Sequence, residues 1–315
     1  MSVLSVILSV FWTVFILLEV LICLAAVASV VQERKIWQNP KLPSMTFHGM
    51  LKCYILNVFW MSCCLVGAVL TLIEAVITFK FSNTRQFAHA TIERMCAQYA
   101  CRLFVGPVEI RGGENLPAEF PGSPAPVYIA NHDSQIDTAC VYFLNRQWRW
   151  VAKSSVMLLP GVGQTMYLSD HVFIDRVKKK DPPPETSTSK QQPGGNSVKQ
   201  SLGAKALYIK SNKSVQEGVP MFFFPQGTRR LGERLPFKKG AFNIAMENES
   251  LLVPVSIEIP LTAWNSSYPF GKCDPVVLTI HKPIRTKGRK DDMDGLMKES
   301  FDTIYSVLPD YTKKE

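Results

Sequence analysis

Polar residues able to do chemistry gather where a predicted strand meets a predicted helix. The strand-like segment 127–130 is followed by Asn131, His132 and Asp133, and Asp137 comes four residues after Asp133. Such turns expose side chains to a cleft. A spacing of five residues places His132 and Asp137 about 140° apart on an ideal helix, so they meet only if His132 precedes the helix proper. The sequence therefore predicts a His–Asp pair at the end of this strand.

A histidine held by a carboxylate is suited to removing a proton from an alcohol. The carboxylate keeps the ring in one tautomer and basic enough to act as a general base. The motif contains no obvious protein nucleophile. Taken alone, a His beside an Asp is more often a satisfied structural pair than a catalytic one, so residues elsewhere must decide between the two.

A second polar turn follows another apolar strand-like segment, residues 221–224. It contains, in order, Gln226, Gly227, Thr228, Arg229 and Arg230. Gly227 allows backbone to approach a ligand closely, and the donor fork of arginine matches phosphate oxygens. The turn therefore predicts a phosphorylated ligand. The alternative, arginines on a surface loop, is stronger for Arg230 than for Arg229.

The elements that must position these turns alternate between strand and helix patterns. Strands are predicted at 105–111, 127–130, 148–152, 172–174, 221–224, 251–259 and 276–280. Helices are predicted between several of them, at 136–143, 201–216 and 241–248. This alternation favours an α/β layer structure, and we predict a single domain with a mixed central sheet flanked by helices.

Two long apolar runs precede this domain. Residues 3–31 contain one charged residue, Glu19, and residues 54–73 contain none. About 20 helical residues cross a hydrocarbon core, and the first run is too long for a secretory signal and lacks basic residues before it. We predict a membrane-anchoring helical hairpin, residues 1–80, which either spans the bilayer twice or re-enters it. A catalytic domain, residues 81–315, follows in one compartment.

Two segments of the second domain have distinct compositions. Residues 80–104 have an amphipathic helical pattern. The apolar residues that recur in it are Phe87, Ile92, Met95, Tyr99 and Leu103. This helix either lies at anionic headgroups or caps the catalytic core. Residues 177–200 contain consecutive lysines and prolines, then Ser, Thr, Gln and Gly, which is typical of a solvated, flexible insertion.

The overall composition narrows the classes of function. The 315 residues are 47% hydrophobic and 19% charged, so the chain is too apolar for disorder. The net charge of +9 falls mostly after residue 80 and favours an anionic membrane, a phosphorylated substrate or nucleic acid. The apolar runs favour lipid, and no nucleic-acid motif is present. The eight cysteines form no CxxC pair, which predicts no zinc site and a reducing compartment.

Four sequence blocks, in the expected order, resemble the glycerolipid acyltransferases. Residues 131–137 are similar to the family's N-H-x-x-x-x-D block, and residues 173–176 to its F-I-D-R segment. Residues 224–229 are similar to its F-P-E-G-T-R block, and residues 252–255 to its V-P-V segment. Residues 235–242 most resemble the 1-acyl-sn-glycerol-3-phosphate acyltransferases. The similarity covers about residues 100–285, and four ordered blocks are far more specific than one.

The resemblance implies a reaction and a role for each site residue. The reaction is acyl transfer from acyl-coenzyme A to the sn-2 hydroxyl of lysophosphatidic acid, giving phosphatidic acid and coenzyme A. It needs no metal and no cofactor, since acyl-coenzyme A is a co-substrate. His132 would be the general base and Asp137 would orient it. Arg229 would bind the phosphate, with Arg176 and Lys153 as further candidates for the phosphate or for coenzyme A.

The turn before Arg229 is also assigned to the substrate. It comprises Gln226, Gly227 and Thr228, and a backbone N–H near Gly227 is the candidate oxyanion donor. Gln226 stands where the family usually has Glu, which keeps the shape and loses the charge. Asp170 stands where a small Gly is common. Neither belongs to the His–Asp pair, so the resemblance implies an active enzyme with altered preference.

The resemblance also implies a location and leaves two rivals. It places the chain in the endoplasmic reticulum membrane with its catalytic domain facing the cytosol, and it gives the bilayer, lysophosphatidic acid and acyl-coenzyme A as partners. One rival is an acyltransferase for another lysophospholipid or for glycerol 3-phosphate. The other is a non-catalytic membrane-tethering protein, which Gln226 alone favours.

Overall fold

The structure is a computed structural model that describes residues 2–78, 87–119, 122–174, 195–266 and 272–310. Its centre is an eight-stranded sheet in the order β1-β7-β6-β2-β5-β3-β4, with β8 paired to β6. The strands are β1 Val108–Arg111, β2 Val127–Ala130, β3 Arg149–Lys153, β4 Val172–Ile174, β5 Met221–Phe223, β6 Leu251–Glu258, β7 Val276–Ile280 and β8 Ile284–Arg285. Strand β6 is antiparallel to β7 and β8 and parallel to β2. The predicted mixed sheet is confirmed.

Helices lie on both faces of this sheet. They are α1 Val3–Ile36, α2 Phe47–Thr78, α3 Ala88–Val105, α4 Ile136–Cys140, α5 Val162–Leu168, α6 Gly195–Gln216, α7 Gly240–Glu247 and α8 Met293–Tyr305. Helix α3 is α-helical over Arg94–Ala100 and π-helical over Ala88–Glu93 and Cys101–Val105. A 3-10 segment, Val141–Leu144, continues α4. The flanking helices complete the predicted α/β architecture.

The sequence of the central strands explains why they are buried on both sides. Strand β2 is apolar at every position, as parallel strands covered on both faces usually are. Its side chains alternate between two hydrophobic cores. Tyr128 and Ala130 face the core that includes α2, α3 and α4, whereas Val127 and Ile129 face the core that includes α7 and α8.

Most predicted elements occur, with local differences at their ends. Val105 belongs to α3 rather than β1, because Gly106 at φ 136° ends the helix before the strand begins. Strand β8 was not predicted, since two residues are too few to show alternation. Helix α6 begins at Gly195, so the last residues of the predicted flexible insertion 177–200 are helical. The rest of that insertion lies outside the described residues.

The two N-terminal helices are long and apolar enough to cross a membrane. At 1.5 Å per residue each is about 50 Å long. Apolar side chains on α1, among them Val10, Phe11 and Leu17, are exposed, as on a helix surface that faces lipid. The predicted helical hairpin is therefore confirmed as a pair of helices, and the boundary predicted at residue 80 lies outside the described residues.

The hairpin packs against the sheet domain, and the predicted division of the chain at residue 80 stays a prediction. Trp37, Cys53 and Leu56 belong to the larger core of the sheet domain. Gly161 lies against the backbone of α2, where an added Cβ would come within 2.3 Å of the Met61 carbonyl oxygen. The end of the hairpin at which α1 meets α2 therefore packs against the sheet domain.

Helix α3 caps the core with a face different from the predicted apolar one. Its small residues Ala97, Ala100 and Cys101 are fully buried, while Met95 and Tyr99 are about half exposed. Small side chains allow the closest approach to α2 and α4, which explains why this face packs inward. The helix therefore caps the core and also presents apolar side chains outward, so both predicted roles are compatible with its packing.

Candidate active site

The candidate residues lie at one edge of the sheet. Strands β2, β5, β3 and β4 are neighbours in this order and are all parallel, so their carboxyl ends share an edge. His132 follows β2 and the Arg229 turn follows β5, while Lys153 ends β3. Ligands of open α/β sheets bind at this edge. The topology thus brings the two polar turns side by side.

His132 and Asp137 form the predicted pair. The ring Nδ1 of His132 lies 2.9 Å from the Asp137 Oδ2. The same carboxylate oxygen accepts the backbone N–H groups of Asp133 at 2.7 Å and Ser134 at 3.0 Å. Because the carboxylate accepts, Nδ1 carries the proton and the basic lone pair is on Nε2. His132 lies before α4, as its spacing from Asp137 requires.

Burial decides the protonation of the two carboxyl groups in this turn. Burial raises the pKa of Asp137 to about 7, although the Ser134 and Asp133 N–H groups and the charge of Arg229 oppose the rise. Loss of solvent and the Asp137 charge raise the pKa of Asp133 well above its ordinary value. Neighbouring carboxyl groups do not readily ionise together. Asp137, which accepts the N–H groups of Asp133 and Ser134 and lies near the Arg229 charge, is therefore the member that becomes the carboxylate.

Asn131 attaches this turn to the centre of the sheet. Its Oδ1 accepts the backbone N–H of Ile257 and its Nδ2 donates to the Ile257 carbonyl, both at 2.8 Å. The side chain thus pairs with β6 as another strand residue would. Since Asn131 is fully buried, breaking this pair would leave polar groups without partners. Asn131 holds the next residue, His132, in place.

The second turn fixes the other side of His132. The ring of Phe224 stacks on the imidazole with centroids 3.9 Å apart and an interplanar angle of 11°. The backbone N–H of Arg230 donates to the His132 carbonyl at 3.1 Å. The ring and backbone of the candidate base are therefore positioned by the turn that carries Arg229.

Gln226 joins the two turns as an amide. Its Oε1 accepts the His132 backbone N–H at 2.6 Å, and its Nε2 donates to the Glu233 carbonyl at 3.3 Å. The side chain is 2% exposed. A carboxylate could accept from His132 but could not donate to Glu233. The departure from the family's Glu thus matches the local hydrogen bonds, and Gln226 supports the site rather than facing a substrate.

Arg229 has an acidic partner that the motifs did not indicate. Its Nη1 lies 2.9 Å from the Oε2 of Glu33, which is fully buried near the end of α1. The pattern around Glu33 is that of an acid at the end of an apolar run, followed by Arg34 and Lys35. That pattern is also typical of a helix leaving a membrane. The site role of Glu33 follows only from the fold.

The other predicted site residues differ in position. Gly227 has φ 71° and its N–H donates to the Phe224 carbonyl at 2.9 Å, so that N–H closes the turn. An oxyanion donor near Gly227 stays a prediction. An added Cβ on Gly227 would lie 2.5 Å from the Nζ of Lys238, a cation that the sequence had not assigned to the site. Thr228 and Lys153 are exposed at the sheet edge. Arg176 lies outside the described residues.

One other cluster among the described residues has metal-ligand composition. Ligand atoms of His89, Glu93 and His171 lie within 4.8 Å of one another. Both imidazole rings already have two partners. One nitrogen of each ring contacts Glu93, and the other accepts a backbone N–H, from Trp148 for His89 and from Trp150 for His171. Neutral imidazoles bonded in this way have no lone pair left for a metal. The cluster is a hydrogen-bonded part of the core.

The fold and the site together define a class. This is an α/β protein in which a His–Asp pair able to deprotonate a hydroxyl lies beside an arginine-bearing turn. Residues 107–258 match the family model described as Acyltransferase. Over these residues the chain is similar to the acyltransferase family.

Curated relatives are similar to this chain in sequence, and a solved structure is similar to it in fold. The chain is 29% identical to a 1-acyl-sn-glycerol-3-phosphate acyltransferase of Chlamydomonas reinhardtii, over 76% of this chain and 64% of the relative. It is 30% identical to a chloroplastic one of Brassica napus, over 73% and 61%. A crystal structure of the lysophosphatidate acyltransferase PlsC from Thermotoga maritima matches its fold with a TM-score of 0.58, at 20% identity, over 82% of this chain and 92% of that one. The chain spans about six tenths of the length of the curated relatives.

Proposed function

We propose that the protein transfers an acyl chain from acyl-coenzyme A to the sn-2 hydroxyl of lysophosphatidic acid, releasing phosphatidic acid and coenzyme A. The observation that carries this proposal is the His132–Asp137 pair, oriented at the sheet edge next to Arg229. The pair provides a general base for a hydroxyl, and the arginine provides a partner for a phosphate. The names of the relatives support the same acceptor.

The proposed chemistry needs one base and no covalent enzyme intermediate. The Nε2 of His132 takes the proton of the sn-2 hydroxyl while that oxygen attacks the thioester carbonyl carbon. Asp137 stabilises the imidazolium that forms, through the Nδ1–H contact of 2.9 Å. When the tetrahedral intermediate collapses, the carbon–sulfur bond breaks and the imidazolium returns its proton to the thiolate. His132 ends each cycle neutral.

The acceptor phosphate is assigned to the Arg229 side of the site. The Arg229 side chain is 18% exposed and lies on the loop that stacks against His132. The Lys238 ammonium near Gly227 adds positive charge to the same turn. A phosphate held there would place the glycerol backbone across the site towards His132. Binding geometry of this kind is a large part of catalysis.

The proposed setting is the surface of a membrane. The exposed apolar residues of α1 and α2 supply the anchor, and those of α3 continue the apolar surface beside the domain. A lysolipid in the adjacent leaflet could then reach the sheet edge without leaving the lipid. We place this membrane in the endoplasmic reticulum with the domain facing the cytosol, and protease protection of a tagged chain in isolated membranes tests that placement.

Product identification tests the activity. The full chain in phospholipid vesicles would receive labelled acyl-coenzyme A and lysophosphatidic acid, with His132→Ala as the matched control. We expect labelled phosphatidic acid from the wild type and none from the control. A parallel assay with an acyl-carrier-protein thioester tests the donor. No labelled product above background from either protein would favour the non-catalytic tether instead.

Competing acceptors separate the proposed activity from its rivals within the class. Lysophosphatidic acid, lysophosphatidylcholine, glycerol 3-phosphate and monoacylglycerol would be offered together with one acyl-coenzyme A. We expect lysophosphatidic acid to be used before lysophosphatidylcholine and monoacylglycerol, because a phosphate monoester offers Arg229 three unsubstituted oxygens and more charge than a phosphodiester or an uncharged headgroup. Preferential acylation of glycerol 3-phosphate or of a phosphodiester would contradict the proposed acceptor.

A further inference from the structure

Glu33 is a fully buried carboxylate to which the acyltransferase motifs assign no role. Its two oxygens accept from the Trp37 indole at 3.2 Å, the Gln135 N–H at 3.3 Å, the Ser134 hydroxyl and the Arg229 Nη1 at 2.9 Å. A buried carboxylate is costly unless donors replace its water. Here donors from α1 and from both catalytic turns do so. The apolar helix α1 therefore ends inside the site.

The geometry of Arg229 shows what this contact leaves available. Glu33 uses Nη1, and among the described residues the Nε and Nη2 of Arg229 have no hydrogen-bond partner. The side chain retains 18% exposure, whereas Glu33 has none. The fork is thus held from the protein side by one nitrogen. Its other donors can meet an anion that arrives from outside.

The same carboxylate also holds the His132 turn. Ser134 and Gln135 directly precede α4, and Ser134 also donates its N–H to Asp137. One side chain therefore connects the turn that carries the base with the turn that carries the arginine. Asn39, just beyond α1, adds a contact from its Nδ2 to the Leu231 carbonyl at 3.1 Å. Both turns therefore contact the same part of the hairpin, the end of α1.

We propose that Glu33 is a positioning residue that sets the direction of the Arg229 guanidinium towards the acceptor phosphate. This rests on the proposed function, because it takes the phosphate to bind Arg229. A guanidinium that is already oriented loses little side-chain freedom when the phosphate arrives. The charges of Glu33 and Arg229 offset each other, so the benefit of Glu33 comes from orientation and not from net charge.

Removing the charge of Glu33 separates orientation from electrostatics. Glu33→Gln keeps acceptors for Ser134 and Gln135 but presents an amide to Arg229. If net charge decided phosphate affinity, this change would make the site more positive and lower the KM for lysophosphatidic acid. If orientation decides, the KM should rise by about tenfold or more, the equivalent of one hydrogen bond to a charged group. The change in kcat should be smaller than that in KM.

The assay uses the full chain in phospholipid vesicles, with lysophosphatidic acid and with uncharged monoacylglycerol. Glu19→Gln, the same substitution earlier in α1, is the matched control and should leave both KM values unchanged. Glu33→Gln should raise the KM for the phosphorylated acceptor and not for monoacylglycerol. An unchanged or lower KM for lysophosphatidic acid in folded Glu33→Gln would overturn the assignment.

A double-mutant cycle tests whether Glu33 acts through Arg229. Once Arg229→Ala has removed the guanidinium, adding Glu33→Gln should not raise the KM further, because coupled residues are not additive. A further rise as large as that of Glu33→Gln alone would show an independent role and overturn the proposal. The double variant contains no unpaired buried charge, so it also answers the question if Glu33→Gln by itself does not fold.

The outcomes for the proposed function and for Glu33 are distinguishable. If the wild type makes no phosphatidic acid, the proposed function fails, whatever the variants do. If the wild type is active and Glu33→Gln has the same KM, only the Glu33 assignment fails. If the wild type prefers another phosphorylated acceptor, the ratio of KM values is measured with that acceptor and tests Glu33 in the same way.

Discussion

Two His–carboxylate clusters occur in the part of the chain that the structure describes, and they differ in what surrounds their histidines. In the core, Glu93 contacts His89 at 2.7 Å and His171 at 2.9 Å, and backbone N–H groups occupy the second nitrogens. At the sheet edge, Asp137 contacts the Nδ1 of His132, whose side chain is 16% exposed. The core pairs are 0–6% exposed. A similar pairing of residue types thus gives a structural element in one place and a candidate base in another.

The difference lies in solvent access and in the pKa of the carboxylate. A histidine whose two nitrogens are paired with buried groups can neither take nor give a proton without breaking those bonds. Glu93 also accepts from the Tyr142 hydroxyl at 2.7 Å and the Ser169 hydroxyl at 3.0 Å. Its contacts with His171 and His89 keep the pKa of Glu93 below its ordinary value despite burial. By contrast, burial raises the pKa of Asp137 to about 7. Of these two carboxyl groups, only Asp137 has a pKa near neutral pH.

The largest expected effect separates the two clusters directly. His132→Ala should lower kcat by about 10²–10⁴-fold, the usual contribution of a general base. Kinetics of the folded, membrane-inserted variant with lysophosphatidic acid would measure this. A kcat close to that of the wild type would show that His132 is not the base.

The core cluster should respond in stability rather than turnover. Glu93→Gln replaces an acceptor of four hydrogen bonds by a group with one acceptor oxygen, and we expect the free energy of unfolding to fall by roughly 3 kcal/mol. Denaturant unfolding in detergent micelles would measure it, with the exposed Glu109→Gln as control. The folded fraction should keep its kcat. Lost turnover at unchanged stability would place Glu93 in the site.

Arg229 and Arg230 compare a site arginine with a surface one. Arg229→Lys keeps the charge but loses the planar fork, so the KM for lysophosphatidic acid should rise by the equivalent of about 1.5–3 kcal/mol. Arg230→Lys should have little effect, because Arg230 contacts His132 through its backbone. Kinetics with lysophosphatidic acid and with monoacylglycerol would check both. Equal, small effects at the two positions would remove Arg229 from the site.

The smallest expected effect is the pH dependence. Protonation of Asp137 below about pH 7 removes the charge that stabilises the imidazolium. The value of kcat/KM should therefore rise as pH rises to about 7, and fall about tenfold for each pH unit below it. Asp137→Asn should have a lower kcat, with binding less affected, and should lack this inflection. The same inflection in Asp137→Asn would assign it to another group.

Local sequence determined much of the fold and of the candidate site. Strands β2 and β5 are short apolar runs that end in polar turns. The sequence alone therefore predicts that the turns carrying His132, Asp137 and Arg229 follow strands. Neighbouring residues fix such turns, because the side chains and the backbone that they contact lie only a few positions apart. The seven longer strands were predicted for the same reason. The catalytic roles of His132, Asp137 and Arg229 stay predictions.

Tertiary structure decided what depends on residues far apart in sequence. Glu33 lies 196 residues from Arg229, and Gln226 lies 94 residues from His132. No local pattern reports such contacts, and the sequence alone suggested a separate anchor and a lost carboxylate. Packing also chose the small-residue face of α3 for the core, since that face allows the closest approach. Buried polar groups of distant elements form hydrogen bonds with one another. These bonds bring the end of the apolar hairpin into the candidate site.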